Sequence, residues 1–289
     1  MKVCIAQTKS EKGNIQRNIK SHLELIKRAI KLKADLIIFP ELSITNYEPE
    51  LAEELATDIE STIFDPFQEL SNKNKIAIGI GMPTKATEGI NISMLIFRSN
   101  KERTTYAKQL LHADELPCFI SGKNQTILTI KRVKIAVGIC YETLQKEHFL
   151  NAKNQGADIY IASVAKPTGG IKKAYQYFPG IAKEFKTPIL MSNCVGHCDN
   201  FMSAGQSAVW NNKGKLMEQL DDSNQGLIIF DTNTDQTEKE IIATGNIAST
   251  KSSIIPNKIR SSEESLIHEV IEIRAKTVIK PKPRIDGVG

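Results

Sequence analysis

The sequence predicts an α/β fold whose sheets are covered on both faces. Strand-like and helix-like segments alternate along the chain. Several strand-like segments, such as residues 35–39 and 159–164, are mostly apolar instead of alternating with polar residues. A strand that is apolar on both sides has to be buried on both faces. We therefore expect helices on one face of each sheet and a second sheet on the other.

The first half of the chain begins with a strand and an amphipathic helix. Over residues 14–33, Ile and Leu recur every three or four positions, which is the spacing of one helix face. The stretch 49–71 is partly helical in pattern. The predicted strands of this half are residues 3–7, 35–39, 75–82 and 90–98, and a further predicted strand ends at Lys108 in the segment TTYAKQLL.

The second half repeats this alternation. A hairpin of two short strands leads into Cys140, and a helix over 144–155 follows it. We expect a second helix over 171–186, broken at Pro179-Gly180 because proline removes a helical hydrogen bond. The predicted strands of this half are residues 125–132, 134–139, 159–164, 188–193, 207–211, 215–220 and 226–230.

Composition and charge limit the compartment and the partners. The chain has 289 residues, of which 40% are hydrophobic and 25% charged, as is typical of soluble globular proteins. Its net charge of +5 is mild and predicts no nucleic-acid partner. We see no secretory signal and no apolar run of the roughly 18 residues that a membrane helix needs. We therefore expect a cytoplasmic protein without a membrane partner, whose five cysteines are thiols.

The domain organisation changes near residue 245. Before that point we see no linker, so we predict one domain over residues 1–245. Residues 246–289 contain a short predicted helix and the Lys-Pro-rich segment 280–284. We predict that these residues form a C-terminal arm. The arm either packs on a partner subunit or is a solvated tail.

Three reactive residues follow apolar strands. Glu41, Lys108 and Cys140 each stand at the carboxyl end of a predicted strand, where the sites of α/β sheets lie. A cysteine between a strand and a helix resembles a nucleophile elbow, in which backbone N–H groups stabilise an oxyanion. The alternative for Cys140 is a small buried hydrophobe.

A nucleophilic cysteine needs a base, and Glu41 is the best candidate. None of the five histidines stands at a strand end, so a Cys–His pair is poorly supported. A carboxylate beside a buried strand end can have its pKa raised enough to accept a thiol proton. Lys108 would then stabilise the oxyanion with a fixed positive charge, and its alternative is a surface lysine.

Taken together, three segments resemble the nitrilase superfamily of carbon–nitrogen hydrolases. ADLIIFPELSITNY is similar to its glutamate motif, YAKQLLHADELPCFISG to its lysine motif and VGICYET to its nucleophile motif. The resemblance implies that Glu41, Lys108 and Cys140 form a catalytic triad. It also implies a four-layer αββα sandwich over residues 1–245, pairing into a homodimer. It implies a small-molecule substrate and neither a metal nor an organic cofactor.

The resemblance extends to three supporting residues. Glu115 matches a second glutamate that positions the substrate and the lysine, with Asp114 as the alternative. The backbone N–H of Tyr141 would complete the oxyanion site, and Glu142 would support it from behind. The family members that act on nitriles usually have Trp where this chain has Tyr141. We therefore expect a hydrolase of linear amides or N-carbamoyl compounds that acts through a Cys thioester. The alternatives are a nitrilase and a catalytically silent amide-binding protein.

Two further features have simple interpretations. Lys166, in the loop 165–170, could bind a substrate carboxylate, but we expect a solvated surface lysine. Cys194, His197 and Cys198 lie within five residues, yet their spacing fits neither common zinc pattern. We therefore expect no metal there.

Overall fold

The computed structural model describes residues 1–243, so the predicted arm over 246–289 lies outside the described residues. The helices are α1 Ile15–Lys31, α2 Ala52–Leu55, α3 Asp65–Asn74, α4 Lys146–Asn154 and α5 Thr168–Phe185, and short 3₁₀ helices span Pro49–Leu51, Thr62–Phe64 and Cys140–Leu144. The strands are β1 Lys2–Gln7, β2 Leu36–Ile38, β3 Ala77–Ala86, β4 Gly89–Phe97, β5 Thr104–Ala107, β6 Ile127–Ile130, β7 Val133–Ile139, β8 Ile159–Ser163, β9 Ile189–Ser192, β10 Val195–Cys198, β11 Phe201–Ala204, β12 Ala208–Trp210, β13 Leu216–Gln219, β14 Gln225–Asp231 and β15 Gln236–Ile242.

Two mixed sheets form the centre of the described part. Seven strands run in the order β15-β14-β1-β2-β3-β4-β5, and six in the order β13-β12-β9-β8-β7-β6. In each sheet the middle is parallel, with β1, β2 and β3 in one and β7, β8 and β9 in the other. The carboxyl ends of parallel strands share one edge, and the chain leaves β2 and β7 there toward Glu41 and Cys140.

Alternate residues of the central strands enter different cores. On β1, Val3 and Ile5 lie in a core that also contains residues of the second sheet, such as Val137. Their neighbours Cys4 and Ala6 lie in a second core with α1 and α3. A third core joins the other face of the second sheet to α4 and α5. The layers are therefore helix, sheet, sheet and helix, which confirms the predicted αββα sandwich and explains strands without polar alternation.

The predicted break in the second long helix is wrong. Helix α5 continues through Pro179, although proline cannot donate the helical hydrogen bond at that position. Phe178, Ile181 and Ala182 flank the proline and are buried against the second sheet. Packing of this apolar face offsets the local cost of the proline, which is about 3 kcal/mol. Among the described helices, none is long and apolar enough to cross a membrane.

The pattern also missed the short hairpin of β10 and β11 and the edge strand β15. β15 pairs with β14 along its whole length, from Gln236 opposite Asp231 to Ile242 opposite Gln225. Its side chains are mostly exposed, so it lacks the apolar run by which the other strands were recognised. The predicted homodimer and the domain boundary at 245 stay predictions.

Candidate active site

Glu41 is held in a tight turn directly after β2. The turn packs against β3, where the Gly81 carbonyl accepts a hydrogen bond from the Ile44 N–H (3.0 Å). A Cβ atom on Gly81 would lie 2.4 Å from the Leu42 nitrogen, so only glycine allows this approach. Leu42 itself has a positive φ of 48°. The turn buries the Glu41 side chain, which is 2% exposed.

Lys108 lies just beyond β5 and is completely buried, so the alternative of a surface lysine is wrong. Its backbone N–H donates to the Ile92 carbonyl (2.9 Å), and its carbonyl accepts from the Gly122 N–H (2.7 Å). These bonds fix the backbone on both sides. The side chain is therefore directed inward from a rigid position.

The Lys108 ammonium joins two buried carboxylates. Its Nζ lies 2.7 Å from Oε1 of Glu41 and 2.6 Å from Oε1 of Glu115. The other oxygen of Glu41, Oε2, is buried and has no hydrogen-bond partner among the described residues. Glu41 thus has one oxygen held by Lys108 and one available for another proton donor.

Glu115, and not Asp114, occupies the supporting position. Its Oε1 also accepts from the Tyr47 hydroxyl (3.0 Å), and its Oε2 accepts from the backbone N–H of His112 (2.7 Å). Asp114 is exposed and pairs with the His112 ring instead. The alternative of Asp114 is therefore wrong for the contact with Lys108.

Cys140 stands where β7 passes into a short 3₁₀ helix. Its φ of 46° is left-handed, a conformation that costs a non-glycine residue about 1–2 kcal/mol. Thr143 Oγ1 donates to the Cys140 carbonyl at 2.6 Å and holds this turn. Tyr141 follows in the first turn, where backbone N–H groups lack an intrahelical acceptor. This local geometry is that of the predicted elbow.

Burial and the neighbouring charges together set the protonation of the three groups. Burial raises the pKa of Glu41 to about 7; the negative charge of Glu115 adds to this rise and Lys108 opposes it. Burial, followed by the charge of Glu41, raises the pKa of the Cys140 thiol to about 11. Burial disfavours the ammonium of Lys108, but Glu41 and Glu115 outweigh it and raise its pKa. At rest the site therefore holds a neutral thiol, a permanent cation and a carboxylate that can accept a proton near neutral pH.

Glu142 connects the strand end to the loop after Lys108. Its Oε1 accepts from the Ile139 N–H (2.7 Å) and from the Tyr106 hydroxyl (2.5 Å). Its Oε2 accepts from the backbone N–H groups of Gln109 (2.7 Å) and Leu110 (3.1 Å). Both oxygens are therefore occupied, as expected for a residue that supports the site without contacting substrate.

His148 extends this network away from the thiol. Its Nε2 lies 2.8 Å from the Tyr106 hydroxyl and its Nδ1 lies 2.8 Å from the Tyr160 hydroxyl. A Cβ atom on Gly138 would lie 2.2 Å from that Tyr160 oxygen, so glycine makes room for the network. Burial lowers the pKa of His148, which favours a neutral ring. These contacts are structural, in agreement with the poor case for a Cys–His pair.

The expectation of a solvated Lys166 is wrong. Lys166 is 5% exposed, and its Nζ lies 3.7 Å from the Cys140 sulfur. The loop that carries it follows β8, whose end lies beside the end of β7 in the parallel sheet. Adjacent parallel strands bring their following loops together, and the packed loop excludes water from the lysine.

The Cys194–Cys198 segment does not assemble a metal centre with His197. The two sulfurs are buried and lie 3.6 Å apart, whereas the His197 side chain is exposed. Within residues 1–243, no three His, Cys, Asp or Glu side chains come together in a group that could bind a metal.

Sequence reasoning missed the tyrosines of the site. Tyr47 contacts Glu115, and Tyr106 contacts Glu142, across 68 and 36 positions of the chain. Tyr47 ends the glutamate motif and Tyr106 begins the lysine motif. Their positions inside these two motifs are the sequence feature that could have identified them as site residues.

Known proteins are similar to this chain in fold and, more distantly, in sequence. The profile of the carbon–nitrogen hydrolase family matches residues 2–239. The solved structure of an amidase variant from Nesterenkonia sp. AN1 superposes with a TM-score of 0.73 at 19% identity, covering 80% of this chain and 92% of that one.

Two curated relatives are each 25% identical. One is a glutamine-dependent NAD(+) synthetase from Acinetobacter baylyi, with 75% of this chain and 41% of the relative covered. The chain thus spans about two fifths of that protein's length. The other is a probable nitrilase from Schizosaccharomyces pombe, with 71% and 77% covered. Because the family profile spans most of the sequence, the chain belongs to the carbon–nitrogen hydrolase family.

Proposed function

We propose that this protein is a thiol hydrolase that cleaves the C–N bond of a small linear amide or N-carbamoyl compound. The observation that carries the proposal is the fully buried Lys108 ammonium between two carboxylates, beside the Cys140 thiol. Buried charges are expensive unless they are paired, and they concentrate at functional sites. One oxygen of Glu41 has no hydrogen-bond partner among the described residues and is available as the base.

In the first half of the reaction Cys140 forms a thioester. Glu41 accepts the thiol proton while the sulfur attacks the amide carbonyl carbon. Proton transfer accompanies attack, because at rest the thiol has a higher pKa than Glu41. The Lys108 ammonium and the Tyr141 N–H stabilise the oxyanion. When the C–N bond breaks, Glu41 gives its proton to the leaving ammonia or amine.

In the second half water replaces the amine. Glu41, again a carboxylate, takes a proton from water as it attacks the thioester carbon. Collapse of the second tetrahedral intermediate breaks the C–S bond, releases the acid and returns the proton to Cys140. Glu115 positions Lys108 throughout, since it contacts the ammonium at 2.6 Å.

The amidase structure supports an amide as substrate, while the probable nitrilase keeps nitriles among the compounds to test. The amidase variant from Nesterenkonia sp. AN1 carries acrylamide added at its active-site cysteine. Tyr141 stands where Trp is usual in the nitrile-hydrolysing members that this chain resembles. The named activity of the NAD(+) synthetase relative adds glutamine to the amides worth testing.

The test is ammonia release from a panel of aliphatic amides, glutamine, N-carbamoyl amino acids and aliphatic nitriles. Rapid-quench intact mass spectrometry on the same mixtures should show an acyl adduct on Cys140. Turnover of nitriles alone would contradict the amide assignment. Binding of amides with neither ammonia nor an adduct would replace it by the silent amide-binding protein.

A further inference from the structure

Lys166 is held in place by its own backbone. Its N–H donates to Oδ1 of Asn193 (2.9 Å), and its carbonyl accepts from Nδ2 of the same side chain (3.2 Å). The carbonyl also accepts from the Ala204 N–H (3.0 Å) and from the Ser203 hydroxyl (3.2 Å). Asn193, directly after β9, and the end of β11 thus hold the backbone of Lys166 in place.

The end of that side chain lacks the partner that a buried ammonium requires. Its one polar contact is the Cys140 sulfur at 3.7 Å, and among residues 1–243 no carboxylate pairs with it. Lys108, which is also buried, has two carboxylates within 2.7 Å. An ammonium taken out of water without a counter-charge is costly, and an incoming anion would remove that cost.

The charges of the whole site favour an anion. Glu41 and Glu115 face two ammonium groups, Lys108 and Lys166, around a neutral thiol. Lys108 contacts both carboxylates, so its charge is compensated, whereas no carboxylate among residues 1–243 pairs with Lys166.

We propose that Lys166 is a specificity-determining residue that binds a carboxylate of the substrate, close to the amide carbonyl. This inference rests on the proposed hydrolase function. An acyl carbon bonded to the Cys140 sulfur would lie within a few ångström of Nζ, and a charge-assisted hydrogen bond spans about 2.8 Å. The carboxylate carbon is therefore attached directly to the reacting carbonyl or through one or two atoms. It belongs either to the acyl part or to the leaving amine.

Matched substrates separate these cases. Malonamate and malonamide differ in one group, a carboxylate against a carboxamide of the same shape, on the acyl side. N-carbamoylglycine and its amide provide the same comparison on the amine side. We expect the wild type to prefer the anionic member of one pair by about 10- to 100-fold in kcat/KM, the range of a buried charge-assisted bond.

Two variants test whether Lys166 causes the preference. Lys166→Met should lower kcat/KM for the anionic member about 10- to 100-fold more than for the neutral member, so that the preference disappears, and Lys166→Arg should retain the preference. Lys172→Met, an exposed lysine on α5, is the matched control and should behave as wild type. Thermal unfolding shows whether each variant is folded.

Two results would overturn the proposal. One is equal turnover of anionic and neutral substrates by the wild type in both pairs. The other is an equal loss for both in Lys166→Met, which would mean that the cation acts on the sulfur alone.

Calorimetric titration of Cys140→Ala with malonamate, malonamide and the N-carbamoyl pair separates recognition from hydrolysis. Selective binding of the anion without any turnover by the wild type would support Lys166 and contradict the hydrolase. Turnover of neutral amides without anion selectivity in either assay would support the hydrolase and contradict the role of Lys166.

Discussion

Two buried glutamates of this protein, Glu41 and Glu142, have opposite surroundings. Glu142 accepts four hydrogen bonds, two on each oxygen, three of them from backbone N–H groups. Glu41 has one oxygen on Lys108 and one without a partner among the described residues. Each is within 2% of complete burial, so burial alone does not distinguish them.

The difference indicates what each carboxylate does. A fully bonded carboxylate has no capacity left for a substrate or a proton, but it holds its partners in place. A half-bonded one beside a thiol keeps a raised pKa and can exchange a proton. The Glu142 network therefore positions the ends of β5 and β7, and the Glu41 cluster performs the proposed chemistry.

The largest difference between the Glu41 cluster and the Glu142 network should appear in catalytic rate, when the nucleophile is replaced. Cys140→Ala should lower kcat by roughly 10⁴-fold or more, because the thioester cannot form, while its melting temperature stays near that of wild type. Cys118→Ala, a cysteine outside the cluster, is the control. Ammonia release by the Cys140→Ala protein at the wild-type rate would contradict the assignment.

The next effect should appear in stability. Glu142→Ala leaves several buried donors without an acceptor, so the free energy of unfolding should fall by about 3–5 kcal/mol. Urea denaturation measures this change, with the exposed Glu147→Ala as the matched control. Equal urea midpoints for the two variants would mean that the hydrogen bonds of Glu142 do not stabilise the fold.

The pH dependence of kcat/KM should reflect the titration of Glu41. Its pKa is raised to about 7, and only the carboxylate can act as the base. For a neutral amide, kcat/KM should therefore rise with pH about tenfold per unit below 7 and level off above it. Initial rates between pH 5 and 8.5 test this. A flat profile would show that Glu41 does not titrate in this range.

The smallest effects should come from two tyrosine hydroxyls. Tyr47→Phe removes one donor from Glu115, and we expect kcat/KM to fall about fivefold, since one hydrogen bond contributes about 1 kcal/mol. Tyr106→Phe removes a donor from Glu142 and should lower the free energy of unfolding by about 1–2 kcal/mol. Activity and urea denaturation are measured for both variants. A loss of activity without a loss of stability in Tyr106→Phe, or the converse in Tyr47→Phe, would show that the two regions do not have separate roles.

Much of the fold follows from patterns within single elements. Strands apolar on both sides, such as 159–164, require cover on both faces, and this predicts stacked sheets between helices. The order of three strand-end residues predicts that Glu41, Lys108 and Cys140 meet. The pattern failed at Pro179 and β15, because packing against the sheet and pairing with β14 decide those segments.

By itself the sequence determined the layered fold and the three residues proposed for the chemistry, since periodicity and strand ends are local properties. Only the tertiary structure decided that Lys166 is buried beside the thiol, that Glu115 contacts Lys108 while Asp114 does not, and that Glu142 is fully bonded. These outcomes depend on which loops pack together and exclude water. Lys166 and Cys140 are 26 positions apart and Tyr106 and Glu142 are 36 apart, and no spacing along the chain specifies these contacts.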